Sequence, residues 1–273
     1  MRSHAFTFAL VSLGTLCIAQ TQPSTQPMRT QFSPDAKVKI ALVGDSTVTE
    51  HAGWGIGFQI SLSSGAEAVN IAKGGRSSLS YRTEGWWDKA LALKPDYMLI
   101  QFGHNDQPGK GPERETDPAT TFPQNMARYV DEARAAGIKP ILVTSLARRE
   151  WKEDGKIHST LIPWAEATRR VAKEKNVPLI DLHERSLDVY YSLGKEGTTL
   201  MSPPKEGGFD GTHLNAVGSE CIGTMVADDL KRAVPELDRY LQGYERLAMA
   251  QQKAAQATQP ASPTTIVPPP KHP

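Results

Sequence analysis

Short apolar, partly β-branched runs recur along the chain at residues 38–43, 68–71, 97–102, 140–144 and 178–180, each the length of a buried strand rather than of a helix. Between them the apolar positions switch to helical spacing. One such segment begins near Thr121, places Phe122, Met126, Tyr129, Val130 and Ala133 on a single face, and stops at Gly137. A second aligns Leu161, Trp164, Ala165, Thr168, Val171 and Ala172 and ends at Asn176. Five strands separated by crossovers predict an α/β domain, a mostly parallel sheet with helices on both faces in three layers.

The two ends depart from this alternation. Arg2 and His4 precede an apolar run, residues 5–18, that is too short to span a bilayer. It reads as a secretory signal peptide occupying residues 1–19, with Cys17 and Ala19 at the small-residue positions of the cleavage site. A lipoprotein reading of Cys17 is disfavoured by Leu16, which stands where a small residue is wanted. Residues 20–36 are rich in Gln, Thr, Ser and Pro and predict a linker; residues 37–249 form the expected folded domain. Residues 250–273, with six prolines and no acidic residue, predict a disordered Pro/Gln/Ala-rich tail. The expected location is therefore secreted or periplasmic. Removing Cys17 with the signal leaves Cys221, so the mature chain forms no intramolecular disulfide and depends on its core.

A formal net charge of +1, with 22% charged and 39% hydrophobic residues, excludes collagen-like, coiled-coil and wholly disordered chains. Lys and Arg are scattered rather than striped, which leaves no electrostatic footprint for nucleic acid. No membrane span is expected in the body, and no repeat at solenoid or propeller periods is present.

In a parallel sheet, ligands bind outside the carboxyl ends of the strands, so the residues that follow each strand carry the candidate chemistry. The first strand runs into Gly44-Asp45-Ser46, the second into Gly74-Gly75-Arg76-Ser77-Ser78, and the third into Gly103-His104-Asn105-Asp106. Asp210-Gly211-Thr212-His213-Leu214-Asn215 precedes the last helix. A serine placed just after a strand by a glycine turn suits a nucleophile, but its hydroxyl needs a base. The Asp-x-x-His spacing lets Asp210 orient the His213 imidazole through Nδ1 and leave Nε2 for Ser46. The plainer alternative makes Gly-Asp-Ser a turn and Asp210 the N-cap of the final helix. The backbone N–H groups of Ser46 and Gly75 and the Asn105 amide would supply the donors that an oxyanion requires, although Gly75 and Asn105 also suit ordinary turns.

These four blocks, in their order and spacing, resemble those of the SGNH (GDSL-type) hydrolase superfamily. The strings Gly-Asp-Ser-Thr, Gly-Gly-Arg-Ser-Ser, Gln-Phe-Gly-His-Asn-Asp and Asp-Gly-Thr-His-Leu-Asn are similar in particular to its rhamnogalacturonan acetylesterase branch, carbohydrate esterase family 12. The resemblance covers Lys37 to about Val234. It implies a flavodoxin-like sheet of order 2-1-3-4-5, Ser46 as nucleophile, Asp210 and His213 completing a triad, and an oxyanion hole of Ser46, Gly75 and Asn105. It also implies a serine acetylesterase without metal or organic cofactor. The lack of a disulfide pair suggests a bacterial-type member.

Outside the blocks, Asp45 and Asp106 are expected to hold loops by accepting backbone hydrogen bonds, and His104 to orient or support the site rather than act as a second base. Trp164 falls on a helix core face, and packing is also the default for Trp86 and Trp87. Trp151, in the charged loop after the fourth strand, is the expected substrate-facing aromatic, with Arg76 and His104 as further substrate contacts. Arg76 and the Arg148-Arg149 pair are candidates for uronic acid carboxylates, with a solvated charged loop as the alternative. Three rival functions stand beside an exported acetylesterase acting on acetylated plant polysaccharides. A metallophosphoesterase fits poorly because the first strand lacks Asp-x-His; a lipase or thioesterase on the same fold would need a more apolar acyl channel; a catalytically silent carbohydrate-binding protein would leave the triad residues unexplained.

Overall fold

The computed structural model describes residues 31–242. The expected signal at residues 1–19, residues 20–30 of the expected linker and residues 243–273, which include the expected tail, lie outside the described residues.

Five parallel strands, β1 (Val38–Gly44), β2 (Ala66–Asn70), β3 (Tyr97–Gln101), β4 (Lys139–Val143) and β5 (Leu179–Ile180), form a sheet of order β2-β1-β3-β4-β5. This is the expected fold, with strand ends displaced by a residue or two. Period-two alternation divides the core between the two faces. Ile40, Leu42, Leu99, Ile141 and Val143 project to one side; Ala41, Val43, Met98, Ile100 and Leu142 project to the other. Because both faces are covered, central β3 is buried at all five residues and reads as a continuous apolar run.

On the first face lie α1 (Gly55–Ile60), α6 (Leu182–Thr199) and α7 (Ala216–Ala233), contributing Phe58, Leu182, Tyr190, Ile222, Met225 and Leu230. Helix α6 is broken at Gly194, whose φ of 69° interrupts the helical backbone. The opposite face carries α3 (Trp86–Ala92), α4 (Thr121–Ala135) and α5 (Ile162–Glu174), preceded by the single turn α2 (Ser80–Thr83). The apolar stripes expected on the two central helices are the faces that α4 and α5 bury. A small hairpin, β6 (Pro204–Lys205) and β7 (Gly208–Phe209), precedes α7, and a 3-10 turn, Pro235–Tyr240, follows it.

Two features bring the distant loops together. The chain leaves β1 for β2 on one side and then crosses to β3 on the other, so a crevice opens at the carboxyl ends of β1 and β3. Helices α1 and α7, which follow the Ser46 and His213 loops, also pack unusually close. A methyl group on Gly57 would lie 1.9 Å from the Ser219 carbonyl oxygen, and one on Gly223 would lie 2.2 Å from the Phe58 nitrogen. The Leu214 N–H donates to the Ala52 carbonyl at 2.9 Å and fastens the same two loops directly.

Candidate active site

Ser46 sits on a turn held from beneath. A side chain on Gly44 would meet Val48 Cγ2 at 2.5 Å and the Gln101 carbonyl at 2.7 Å, so the chain can turn this tightly only at glycine. Asp45 is fully buried, and its Oδ1 accepts the Thr47 N–H at 2.8 Å and the Thr47 hydroxyl at 2.7 Å. Gln101, the last residue of β3, donates through Nε2 to Thr47 Oγ1 at 2.7 Å and accepts from the buried Trp54 indole at 2.9 Å. This chain of buried bonds binds the Ser46 turn to the central strand.

Asp210 uses its two oxygens differently. Oδ1 accepts the backbone N–H groups of Thr212 at 2.7 Å and His213 at 3.0 Å and closes the local turn; Oδ2 lies 2.7 Å from His213 Nδ1. His213 Nε2 lies 2.9 Å from Ser46 Oγ. Burial pushes the Asp210 carboxyl up, but the His213 ring and the two backbone donors outweigh it and bring it down to about 2. An ionised carboxylate can only accept, so Nδ1 carries the proton that faces it. Nε2 of the neutral ring is then the acceptor, and the Ser46 hydroxyl donates to it. The N-cap of α7 is Asn215, whose side chain accepts from the Gly218 N–H at 2.9 Å, which replaces the alternative assigning that task to Asp210.

Ser46, Gly75, Asn105 and His213 line one cavity of about 580 Å³. Gly75 has a φ of 77°, in the left-handed region that favours glycine. Asn105 is nearly buried and donates through Nδ2 to the Arg76 carbonyl at 3.1 Å, leaving the other amide proton for the cavity. Asp106 binds the β2 and β3 loops together by accepting from the Ser78 N–H, the Ser78 hydroxyl at 2.5 Å and the Thr116 hydroxyl at 2.9 Å. Burial nevertheless raises its carboxyl to about 7. His104 also lines the cavity, but it is buried beside Asp45, with Nδ1 3.5 Å from Asp45 Oδ2.

Two expected substrate contacts are engaged elsewhere. The Trp151 indole donates to Thr198 Oγ1 at 2.8 Å and meets the Tyr191 ring edge-on, turned away by α6, so it does not line the cavity. Arg76 folds back on its own loop, donating to Glu84 Oε2 at 2.8 Å and to the Gly74 carbonyl at 2.9 Å. The Arg148-Arg149 pair divides. Arg149 is buried and donates to the carbonyls of His213 and Asp210, to Ser202 Oγ at 2.9 Å and to the Tyr190 hydroxyl at 3.3 Å. It clamps the turn that carries His213, whereas Arg148 lines the cavity. Trp87 and Trp164 are buried as expected; Trp86 is partly buried, with the Lys73 and Lys89 ammonium groups 4.7 and 4.2 Å from its ring centroid.

Gln107, Lys110, Glu150, Thr160 and Thr212 complete much of the cavity wall, and sequence reasoning singled out none of them as a contact. Gln107 directly follows the Gly-His-Asn-Asp block, which is the one local signal that pointed to it. Among the described residues, no group of three or more His, Cys, Asp or Glu side chains is placed to hold a metal ion. No helix among them is long and apolar enough to cross a membrane.

A nucleophile loop, a base and its carboxylate, and two further donor loops at one edge of a 2-1-3-4-5 sheet define an SGNH-type hydrolase. The GDSL-like Lipase/Acylhydrolase family matches residues 42–221, and the chain belongs to it. It is 36% identical over 213 residues to rhamnogalacturonan acetylesterase RhgT of Bacillus subtilis, covering 71% of this chain and 90% of that relative. It is also 36% identical over 200 residues to the probable rhamnogalacturonan acetylesterase YesY of the same organism, covering 70% of this chain and 92% of that relative. Among solved structures, the Bacillus subtilis protein YxiM superposes with a TM-score of 0.63 at 25% identity, over 73% of this chain and 57% of that one.

Proposed function

We propose that the chain is an exported serine esterase that removes O-acetyl groups from acetylated plant polysaccharides or oligosaccharides. The observation that carries this reading is His213 bridging Ser46 at 2.9 Å and Asp210 at 2.7 Å inside the cavity. Ser46 Oγ attacks the acetyl carbonyl while His213 Nε2 takes the hydroxyl proton. The negative charge that develops on the carbonyl oxygen is received by the N–H groups of Ser46 and Gly75 and by the Asn105 amide. Collapse of the tetrahedral intermediate breaks the bond to the sugar oxygen, which leaves with the proton held by His213, and the acetyl group stays on Ser46. Water then gives a proton to His213, attacks the acetyl-enzyme and releases acetate, returning the proton to Ser46. Asp210 holds the ring in the required tautomer throughout.

A sugar-borne acetyl ester suits the polar wall of His104, Asn105, Gln107, Lys110, Arg148, Glu150, Thr160 and Thr212, which offers a long acyl chain no continuous apolar groove. Such a chain would gain about 0.8 kcal/mol per methylene buried, which a lipase shows as kcat/KM rising with chain length. The acetylesterase names of the relatives support the same choice, and the leader-like pattern of residues 1–19 supports export. Acetate release is to be measured from acetylated pectin, xylan and small acetyl sugars, beside p-nitrophenyl acetate, butyrate and octanoate. Release from a polysaccharide with acetate preferred over octanoate is expected; octanoate preference with no acetate from any polysaccharide overturns the reading in favour of a lipase or thioesterase.

A further inference from the structure

We propose that Arg148, with Lys110 in the same cavity, forms an anionic subsite that takes the carboxylate of a uronic acid unit in the acetylated sugar chain. The assignment rests on the deacetylase reading and narrows its substrate class. The Arg148 side chain is only 14% exposed, yet no carboxylate bonds to it: Glu150, itself 55% exposed, stops 3.9 Å from Nε, beyond hydrogen-bond reach. Nη1 donates to Gln107 Oε1 at 2.7 Å and to Thr160 Oγ1 at 3.1 Å. Gln107 is fixed in turn by donating to the Thr160 carbonyl at 2.8 Å and to its hydroxyl at 3.0 Å. These bonds set the plane of the guanidinium and, among the described residues, leave its Nε and Nη2 edge without a hydrogen-bond acceptor.

Two parallel N–H groups on a planar cation match a carboxylate bidentately, and among sugars the group of that shape and charge is a uronate. The loop that brings Lys110 is preset as well, because Glu115 Oε1 accepts the N–H groups of Gly109, Lys110 and Gly111, each at 2.8 Å. A cavity of about 580 Å³ is within the size range of sites for small ligands, so a carboxylate held there belongs to the acetylated sugar or to its neighbour. Arg76 and Arg149, the other arginines of similar promise, spend their guanidinium groups on Glu84 and on backbone carbonyls.

The test titrates Ser46→Ala protein, which binds without turnover, with an acetylated oligogalacturonide in its free-acid form and again after methyl esterification of its carboxylates. In parallel, wild-type enzyme is assayed for acetate release from both forms. The free acid is expected to bind about ten- to hundredfold more tightly, the scale of one charged hydrogen-bonded pair. In Ser46→Ala/Arg148→Met the two forms should come within about threefold of each other. Arg148→Lys, which keeps the charge and loses the fork, should fall between, and Glu150→Gln should widen the preference by removing a competing carboxylate. Equal affinity for the two forms in Ser46→Ala protein, or a free-acid preference that survives Arg148→Met, overturns the subsite. A preference lost with Arg148→Met in a protein whose wild type releases no acetate supports the subsite and overturns the deacetylase reading.

Discussion

Two Asp–His pairs lie at the same edge of the sheet, and their residue types are identical. Asp45 and His104 are 0% and 4% exposed, and their nearest polar atoms are 3.5 Å apart, too far for a well-formed hydrogen bond. Asp210 and His213 are 29% and 34% exposed and meet at 2.7 Å. In the buried pair, desolvation lowers the pKa of His104 despite the pull of Asp45, and neither ring nitrogen has a hydrogen-bond partner. Burial also pushes the Asp45 carboxyl up, but His104 and Thr47 outweigh it and hold it below the usual carboxylate range. In the open pair, the carboxylate fixes the tautomer and the second ring nitrogen rests on a hydroxyl. A general base therefore needs a carboxylate at bonding distance, a nucleophile on its other nitrogen and access for water; an aspartate nearby is not enough.

The comparison breaks most visibly at Asp210. Asp210→Asn should keep the fold and lower kcat about 10⁴-fold, because an amide can present its N–H to Nδ1 and favour the wrong tautomer. Near wild-type activity would place the orienting carboxylate elsewhere. The same variant carries a stability signature. The unfolded carboxyl titrates near 3.8 and the folded one near about 2, so its contribution is complete above pH 3.8 and fades as pH falls toward 2. The gap in Tm between wild type and Asp210→Asn should narrow across that window, which thermal melts at stepped pH will read.

Removing one oxyanion donor comes next. Asn105→Ala should lower kcat about 10²- to 10³-fold with little change in KM, since the charge exists only in the transition state. A pure KM effect would make Asn105 a substrate-binding residue. Arg149→Met should lower kcat by about tenfold and reduce Tm, because two carbonyls of the Asp210–His213 turn lose a buried donor worth about 1–3 kcal/mol each. Arg149→Lys should not restore either quantity, since one ammonium cannot span the four acceptors that the guanidinium meets. The smallest effect on rate is expected at His104. His104→Ala should destabilise by about 3 kcal/mol or more by stranding the buried Asp45 carboxylate, yet change kcat by less than about tenfold. A loss matching that of His213→Ala would erase the distinction between the two pairs.

Strand and helix positions were legible because β1, β3 and β4 are buried on both faces and α4 and α5 on one, so burial leaves a period in the sequence. The site residues were legible where function follows a strand end within two or three positions, as at Ser46, Gly75 and Asn105. Trp151 was not, because its direction is decided by α6, whose Thr198 and Tyr191 capture the indole from more than 35 positions away in the chain. Adjacent arginines with the same local pattern took opposite roles for a similar reason: Ser202 and Tyr190 draw Arg149 inward, while Gln107 and Thr160 hold Arg148 in the cavity wall. Side-chain direction in irregular loops is set by distant partners, and no local period records it.

The most direct measurement is to label the enzyme with a fluorophosphonate and map the adduct by peptide mass spectrometry, alongside acetate release by Ser46→Ala protein. A single adduct on Ser46, absent in His213→Ala protein, together with loss of turnover in Ser46→Ala is the predicted result. An adduct on a different serine, or acetate release that persists in Ser46→Ala, would contradict the assignment of Ser46 as the nucleophile.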